Sequence, residues 1–248
     1  MDLGIAGRRA AVAASTRGLG FATAQALAAA GVQVALCGRQ RDSVEQAAAR
    51  IGAAAMPIVA DVSTPEGATR FVEGAERVLG GIDILVINVP GTPAGTFAST
   101  ALEEYGPALQ NHVLSGVAMC KAAVPGMQAR GWGRVVAITS VGVRQPFPDL
   151  ILSNTGRSGL TAFLKTLALE VAPDGVTVNS VQPGLHRTER LESWAGDRLP
   201  DMAAEVPAKA VGEPADLGAV VAFLCSEPAR YVTGTAVPVD GGLYRGLL

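Results

Sequence analysis

Short apolar runs alternate with helix-period segments along all 248 residues, and this alternation narrows the folding options of the chain more than any other feature. Residues 8–14, 32–37, 55–60, 82–88, 133–139, 175–181 and 235–239 read as strands built from Val, Ile, Leu and Ala. Between them, 18–30, 41–51, 65–79, 101–130, 153–172 and 214–226 carry helical spacing, with Gly31 closing the first helix. Strands that are apolar throughout are covered on both faces, and parallel strands joined through helices provide that cover. The pattern predicts an α/β fold with one doubly wound parallel sheet, formed as a single domain over 1–248 without linker or repeat. A polar stretch from 183 to about 212 is expected to be irregular.

Composition removes several classes of function. Apolar residues make up 49% of the chain and aromatics only 4%, so the core is built from small aliphatic side chains. The net charge of −2 comes with no basic cluster, which argues against nucleic acid as a partner. Cys37, Cys120 and Cys225 are far apart and form no CxxC pair, so neither a disulfide framework nor a metal site is expected. Such cysteine usage fits a reducing, cytoplasmic compartment. Arg8 and Arg9 precede an apolar run too short for a secretory leader, and no run reaches the ~18 to 20 apolar residues of a membrane span.

The first strand-like run feeds Ser15, Thr16, Arg17, Gly18, Leu19 and Gly20, and then a helix. In open α/β sheets of the Rossmann fold this turn lies where the strand order reverses and ligands bind. Glycines there let the chain approach a pyrophosphate, whose charge meets exposed amides and the positive end of the helix. The second strand-like run ends at Cys37-Gly38-Arg39, where an acid would accept from a ribose hydroxyl and an arginine accommodates a 2′-phosphate. Arg39, helped by Arg17 and Arg41, therefore favours NADP(H) over NAD(H). Asp61, just past the third run, is placed to accept from an adenine amino group.

With these residues in place, the chain resembles the short-chain dehydrogenase/reductase (SDR) family over nearly its full length, in particular its 3-oxoacyl-[acyl-carrier-protein] reductase-like branch. The family's TGxxxGxG turn matches 13–20, with Ala13 and Ala14 replacing its Thr and first Gly. Asp61-Val62 matches an adenine-side Asp-Val pair, and Asn88 is what remains of an NNAG segment at 87–90, where Val89 and Pro90 also stand. Pro183-Gly184 with Thr188, then Tyr231-Val232-Thr233-Gly234 and Val239-Asp240-Gly241-Gly242, follow in the family's order. The resemblance implies cofactor contacts at Ser15, Arg17, Gly18, Leu19, Gly20, Arg39, Asp61, Val62, Asn88, Pro183 and Gly184. It also implies that 185–212, which includes Trp194, shapes the substrate pocket.

The resemblance breaks at the reacting groups. Family members use a Ser–Tyr–Lys set supported by an Asn, and Ser140 matches the serine. The tyrosine and lysine positions hold Ser153 and Arg157, and an ungapped count puts His112 at the Asn position, with Asn111 beside it. Hydride transfer to a carbonyl builds negative charge on oxygen, which a positioned acid must quench, and losing that acid typically costs ~10² to 10⁴ in rate. A serine hydroxyl is a far poorer acid than a phenol of pKa ~10, and a guanidinium cannot relay a proton. Tyr105, Tyr231 and Tyr244 fall elsewhere in the sequence. His112 and His186 are candidate substitutes for the missing acid, because imidazole titrates near neutrality.

Three readings of function stay open at this level. One is an NADP(H)-dependent oxidoreductase that reduces a small-molecule carbonyl, or oxidises the alcohol, using Ser140, Ser153, Arg157 and His112. The others are a non-catalytic NADP-binding sensor or partner subunit, and a lyase or isomerase that reuses the fold. The helices at 101–130 and 153–172 are apolar on more than one face (Val113, Val117, Val124; Leu160, Leu164, Leu167), which with the resemblance leads to the expectation of a homotetramer or homodimer.

Overall fold

The computed structural model of the chain describes residues 1–247. Among them, seven strands form one parallel sheet: β1 (Arg9–Val12), β2 (Gln33–Gly38), β3 (Ala55–Val59), β4 (Ile84–Ile87), β5 (Gly133–Ile138), β6 (Val176–Pro183) and β7 (Ala236–Val239). Their order is β3-β2-β1-β4-β5-β6-β7, with every neighbouring pair parallel. The chain leaves β1 towards β2 and later returns on its other side at β4. The carboxyl ends of β1 and β4 therefore flank the point where the winding reverses. The expected α/β fold with a doubly wound parallel sheet is what the chain forms, and most element ends agree with the sequence reading to within two residues.

The inner strands are buried on both faces because alternate residues feed two separate cores. Ala11, Leu85, Val135 and Val178 pack with Phe71 of helix α3 (Pro65–Leu79), Met119 of α5 (Ser115–Ala129) and Leu160 of α6 (Ile151–Val171). Val12, Val34, Val86 and Val136 pack with Leu27 of α1 (Gly18–Ala29) and Leu217 and Val221 of α9 (Pro214–Leu224). Helix α2 (Arg41–Ile51) covers a smaller group around Phe21 and Leu36. Val124, Leu160 and Leu164, read from sequence as apolar surface for assembly, are spent on the chain's own core. Among the described residues no helix is long and apolar enough to cross a membrane.

Two regions depart from the sequence expectation. The segment read as one helix over 101–130 is a 3₁₀ turn (Leu102–Glu104), helix α4 (Tyr105–Leu109), a π turn (Gln110–Leu114) and then α5. A π turn inserts an extra residue per turn, and it does so here at Asn111 and His112. The stretch read as irregular holds α7 (Glu189–Ala195), capped by the Thr188 hydroxyl accepting from the Leu191 amide at 3.2 Å, and α8 (Leu199–Glu205). Both are seven residues long, too short for a helical period to register in sequence. Leu185, Leu191, Ala195 and Val206 give this excursion a small core of its own. Its neck is pinned where the amides of Arg187 and Gly212 donate to the Gly212 and Leu185 carbonyls, both at 2.9 Å.

Candidate active site

A cleft of about 1110 Å³ opens at the carboxyl ends of the strands, and the turn after β1 forms one wall. That turn is tight. Ala14 takes a positive φ of 44° and Gly18 one of 58°. The Asn88 side-chain amide donates to the Ala14 carbonyl at 3.0 Å, bracing β1 against the end of β4. A Cβ on Gly20 would stand 2.5 Å from that carbonyl oxygen and 2.7 Å from Asn88 Nδ2, so only glycine fits. Gly18, Leu19 and Gly20 open helix α1, where amides lack intrahelical acceptors, and the N-cap residue Arg17 supplies no side-chain cap. The first turn of α1 is thus a set of unclaimed donors at the positive end of a twelve-residue helix.

Ser15 does not belong to that set. Its amide donates to the Cys37 carbonyl at 2.9 Å, its hydroxyl donates to the Val12 carbonyl at 2.6 Å, and the hydroxyl also accepts from the Cys37 amide at 3.2 Å. It is fully buried and ties β1 to β2, so its expected contact with a diphosphate is corrected to a bracing role. Arg17, Leu19, Arg39, Asp61, Val62, Asn88, Pro183 and Gly184 do line the cleft, as does Gly18. Asp61 accepts from the Ser63 hydroxyl at 2.7 Å and from its amide at 3.0 Å. Partial burial opposes ionisation of Asp61, but these bonds and the Arg39 charge outweigh it and hold the carboxyl below its ordinary range. This wall fits a phosphorylated dinucleotide: free helix amides at one point, and an exposed guanidinium at the end of β2.

At the other end of the cleft, Ser140 follows β5, and Ser153 and Arg157 sit one turn apart on α6. The Ser140 hydroxyl accepts from the Gly142 amide at 2.9 Å. Arg157 donates from Nε to the Ser153 hydroxyl at 3.1 Å and from one terminal nitrogen to the carbonyls of Ile138 (3.0 Å) and Thr139 (2.6 Å). The guanidinium is thereby locked against the end of β5. Desolvation, with a smaller push from Arg190, lowers its pKa to about 10, so it remains charged through the neutral range. No carboxylate pairs with it among the described residues. Among the described residues, no tyrosine or lysine lines the cleft.

His112 is not on the cleft wall. It is fully buried, with its ring stacked on α6 at Gly156, where a Cβ would meet its Cβ at 2.7 Å. Neither ring nitrogen has a hydrogen-bond partner among the described residues. Desolvation first, then the charges of Arg157 and Arg190, push its pKa down to about 3. A buried ring that is absent from the cleft lining and stays neutral to that pH is poorly suited to give a substrate its proton, against the expectation of a catalytic acid there. Its neighbour Asn111 donates to the Pro90 carbonyl at 2.8 Å and so positions the segment after β4.

The stretch 185–212, expected to shape the pocket, forms its roof, but sequence reasoning named only His186, Thr188 and Trp194 there and missed Glu189 and Arg190. Helix α7 lies over the cleft. Thr188 packs beside Gly18, and Glu189 forms an ion pair with Arg17. Arg190 donates to the Thr92 carbonyl at 2.6 Å and lies against Gly91. The Trp194 indole nitrogen donates to Asp149 at 3.1 Å, and its ring meets Phe147 edge-on at 5.3 Å. These contacts join the roof to the wall after β5. For Glu189 and Arg190 the sequence offered no local motif beyond their place in that stretch.

The reversal of the sheet beside a glycine turn defines a Rossmann-like α/β protein. A family profile described as Enoyl-(Acyl carrier protein) reductase matches residues 13–244. Human Dehydrogenase/reductase SDR family member 4 is 36% identical over 244 residues, covering 96% of this chain and 88% of that protein. L-Sorbose reductase from Gluconobacter frateurii, solved in complex with NADPH and L-sorbose, superposes with a TM-score of 0.94 at 34% identity over the whole of both chains. YwfH, an NADPH-dependent reductase involved in bacilysin biosynthesis, superposes at 0.93 with 25% identity over 97% of this chain and 99% of its own. The chain belongs to the short-chain dehydrogenase/reductase family.

Proposed function

We propose that this protein is a cytoplasmic NADP(H)-dependent oxidoreductase that reduces a small-molecule carbonyl, or oxidises the corresponding alcohol, with Ser153 and Arg157 replacing the usual tyrosine and lysine. The observation that carries the reading is one continuous cleft. Its near end holds uncapped helix amides and Arg39, and its far end holds Ser140, Ser153 and a charged, locked Arg157. The bound NADPH supplies the hydride. Gly18, Leu19 and Gly20 present amides to its diphosphate, Arg39 meets the 2′-phosphate with Arg17 nearby, and Asp61 and Val62 border the adenine. Pro183 and Gly184, with Asn88 bracing the turn from behind, border the nicotinamide side.

Ser140 and Ser153 donate hydrogen bonds to the carbonyl oxygen of the substrate. Arg157 holds the Ser153 hydroxyl in place and sets a fixed positive charge beside the oxygen as it becomes negative, a preorganised stabilisation that needs no proton. The proton reaches that oxygen from water ordered by Ser153. His112 keeps α6 at its distance from the π turn and so positions Arg157. The excursion 185–212 supplies the pocket roof through Arg190 and Trp194, and one domain over 1–248 suffices for the whole site. Exposed Leu109, Leu114 and Leu169 leave apolar surface for a homodimer or homotetramer.

NADPH consumption measured across ketones and 3-oxoacyl thioesters tests the reading. Turnover of at least one carbonyl class supports it. Tight NADPH binding without turnover anywhere in the panel, unchanged by added metal ions, would refute it in favour of a nucleotide-binding sensor. That second reading has its own support in the absence of a phenol or an ammonium group among the lining residues.

A further inference from the structure

The charges around the cleft do not balance, and the imbalance is local. Its wall carries Arg17, Arg39, Arg50, Arg157, Arg187 and Arg190 against two acids, Asp61 and Glu189. Four of these cations are accounted for within the chain. Arg17 pairs with Glu189, Arg187 pairs with Glu213 at 2.9 Å, Arg39 faces Asp61, and Arg50 lies over the Phe21 ring at 4.1 Å. Arg157 and Arg190 have no acid among the described residues; both line the cleft, Arg157 against Ser153 and Arg190 beside Gly91 and Thr92, near enough to act on the Arg157 charge.

These two arginines come from different elements and are each held in place. Arg157 is fixed on α6 by Ser153 and two carbonyls, and Arg190 is fixed on α7 by the Thr92 carbonyl and the flat face of Gly91. Arg190 lies near enough to oppose the charge on Arg157, and both weigh on the ring of His112. Holding two like charges near one another costs free energy that solvent alone offsets weakly where one of them is buried. A protein keeps such a pair where a ligand anion completes it.

We propose that the substrate carries an anionic group, a carboxylate or a phosphate, that docks between Arg157 and Arg190 beside the carbonyl to be reduced. The proposal rests on the reductase reading and names the substrate class of that same site. Arg190 is the specificity-determining partner, because Arg157 is already committed through three hydrogen bonds to Ser153 and the end of β5. A guanidinium offers two parallel donors to either anion, so the site recognises the charge and the fork-shaped acceptor common to both.

The test is calorimetric binding to the protein saturated with NADP⁺, using two matched pairs of probes: acetoacetate with methyl acetoacetate, and dihydroxyacetone phosphate with dihydroxyacetone. The proposal expects the anion of at least one pair to bind about tenfold tighter than its neutral partner. The pair that shows the preference tells carboxylate from phosphate. In Arg190→Gln the ratio should fall towards one, and Arg190→Lys should restore part of it. Thermal melting of each variant establishes that it is folded. Equal binding of anion and neutral partner in both pairs, or no binding of any probe, overturns the inference. So does a preference that survives in Arg190→Gln. A variant that loses NADP⁺ affinity but keeps the anion ratio also overturns it, assigning Arg190 to the cofactor instead. NADP⁺ binding is read first in the same instrument: its absence overturns the reductase reading and this inference together, whereas NADP⁺ binding without anion preference overturns the inference alone.

Discussion

Replacing Gly20 by alanine tests the turn at its tightest point. The added methyl would lie 2.5 Å from the Ala14 carbonyl oxygen, 2.7 Å from Asn88 Nδ2 and 3.1 Å from Ser15 Cα. Two of these three atoms are backbone, and Asn88 is itself tied to Ala14, so no flexible side chain can move aside. Overpacking of this kind costs about 1 to 3 kcal/mol, and loss of the Asn88–Ala14 hydrogen bond adds about 1 kcal/mol. The sum, about 2 to 4 kcal/mol, lowers Tm by roughly 5 to 15 °C for a chain of this length. Gly18→Ala is the control. Its nearest neighbour would be Thr188 Cγ2 at 3.6 Å, leaving only the left-handed φ of 58° to oppose it, about 1 to 2 kcal/mol. Urea denaturation gives the stabilities, and NADPH fluorescence gives the affinities. Gly20→Ala should be the less stable of the two and should bind NADPH at least about tenfold more weakly than the parent, the value of one charge-assisted hydrogen bond. Equal stability of the two variants, with parental NADPH affinity in Gly20→Ala, would refute the reasoning.

Further outcomes follow from the same geometry. Ala14 carries a left-handed φ of 44° that glycine adopts freely, so Ala14→Gly should stabilise the protein by up to about 1 kcal/mol, measured by urea denaturation. His112 takes up its proton near 6.5 when unfolded but only near 3 when folded, so stability is lost as pH falls below 6.5. Between pH 6.5 and 4.5 that loss is about 2 kcal/mol, and the difference should be largely absent from His112→Asn over the same range. Arg39→Ala should weaken NADPH about tenfold while leaving NADH nearly unchanged, since it removes a charge-assisted contact to the 2′-phosphate alone. Light scattering should find a dimer or tetramer, and a monomer at high concentration would refute the assembly reading.

Much of the fold was legible because the strands are apolar throughout. Ile84–Ile87 and Val176–Pro183 are buried at every position, and a run of that kind reads as an interior parallel strand without further information. The glycine turn was legible because Gly18 and Gly20 fall between a strand and a helix. Three kinds of feature were hidden. Helices α7 and α8 span about two turns each, so neither builds a detectable period. The π turn adds a residue without marking it, which is why a count by spacing could name His112 but not reveal that the ring faces α6 while Asn111 holds Pro90. Ser15 and Arg190 depend on contacts distant in sequence. The Ser15 amide is taken by Cys37, and Arg190 meets Thr92 and the field of Arg157, none of which a local motif encodes.

The account stands on the cleft being a dinucleotide site whose extra phosphate meets Arg39. Calorimetric titration of the parent protein with NADP⁺ and with NAD⁺ tests this most directly. One NADP⁺ bound per chain, with NAD⁺ weaker by about tenfold or more, is the expected result. No heat with either nucleotide, or tighter binding of NAD⁺, would contradict it.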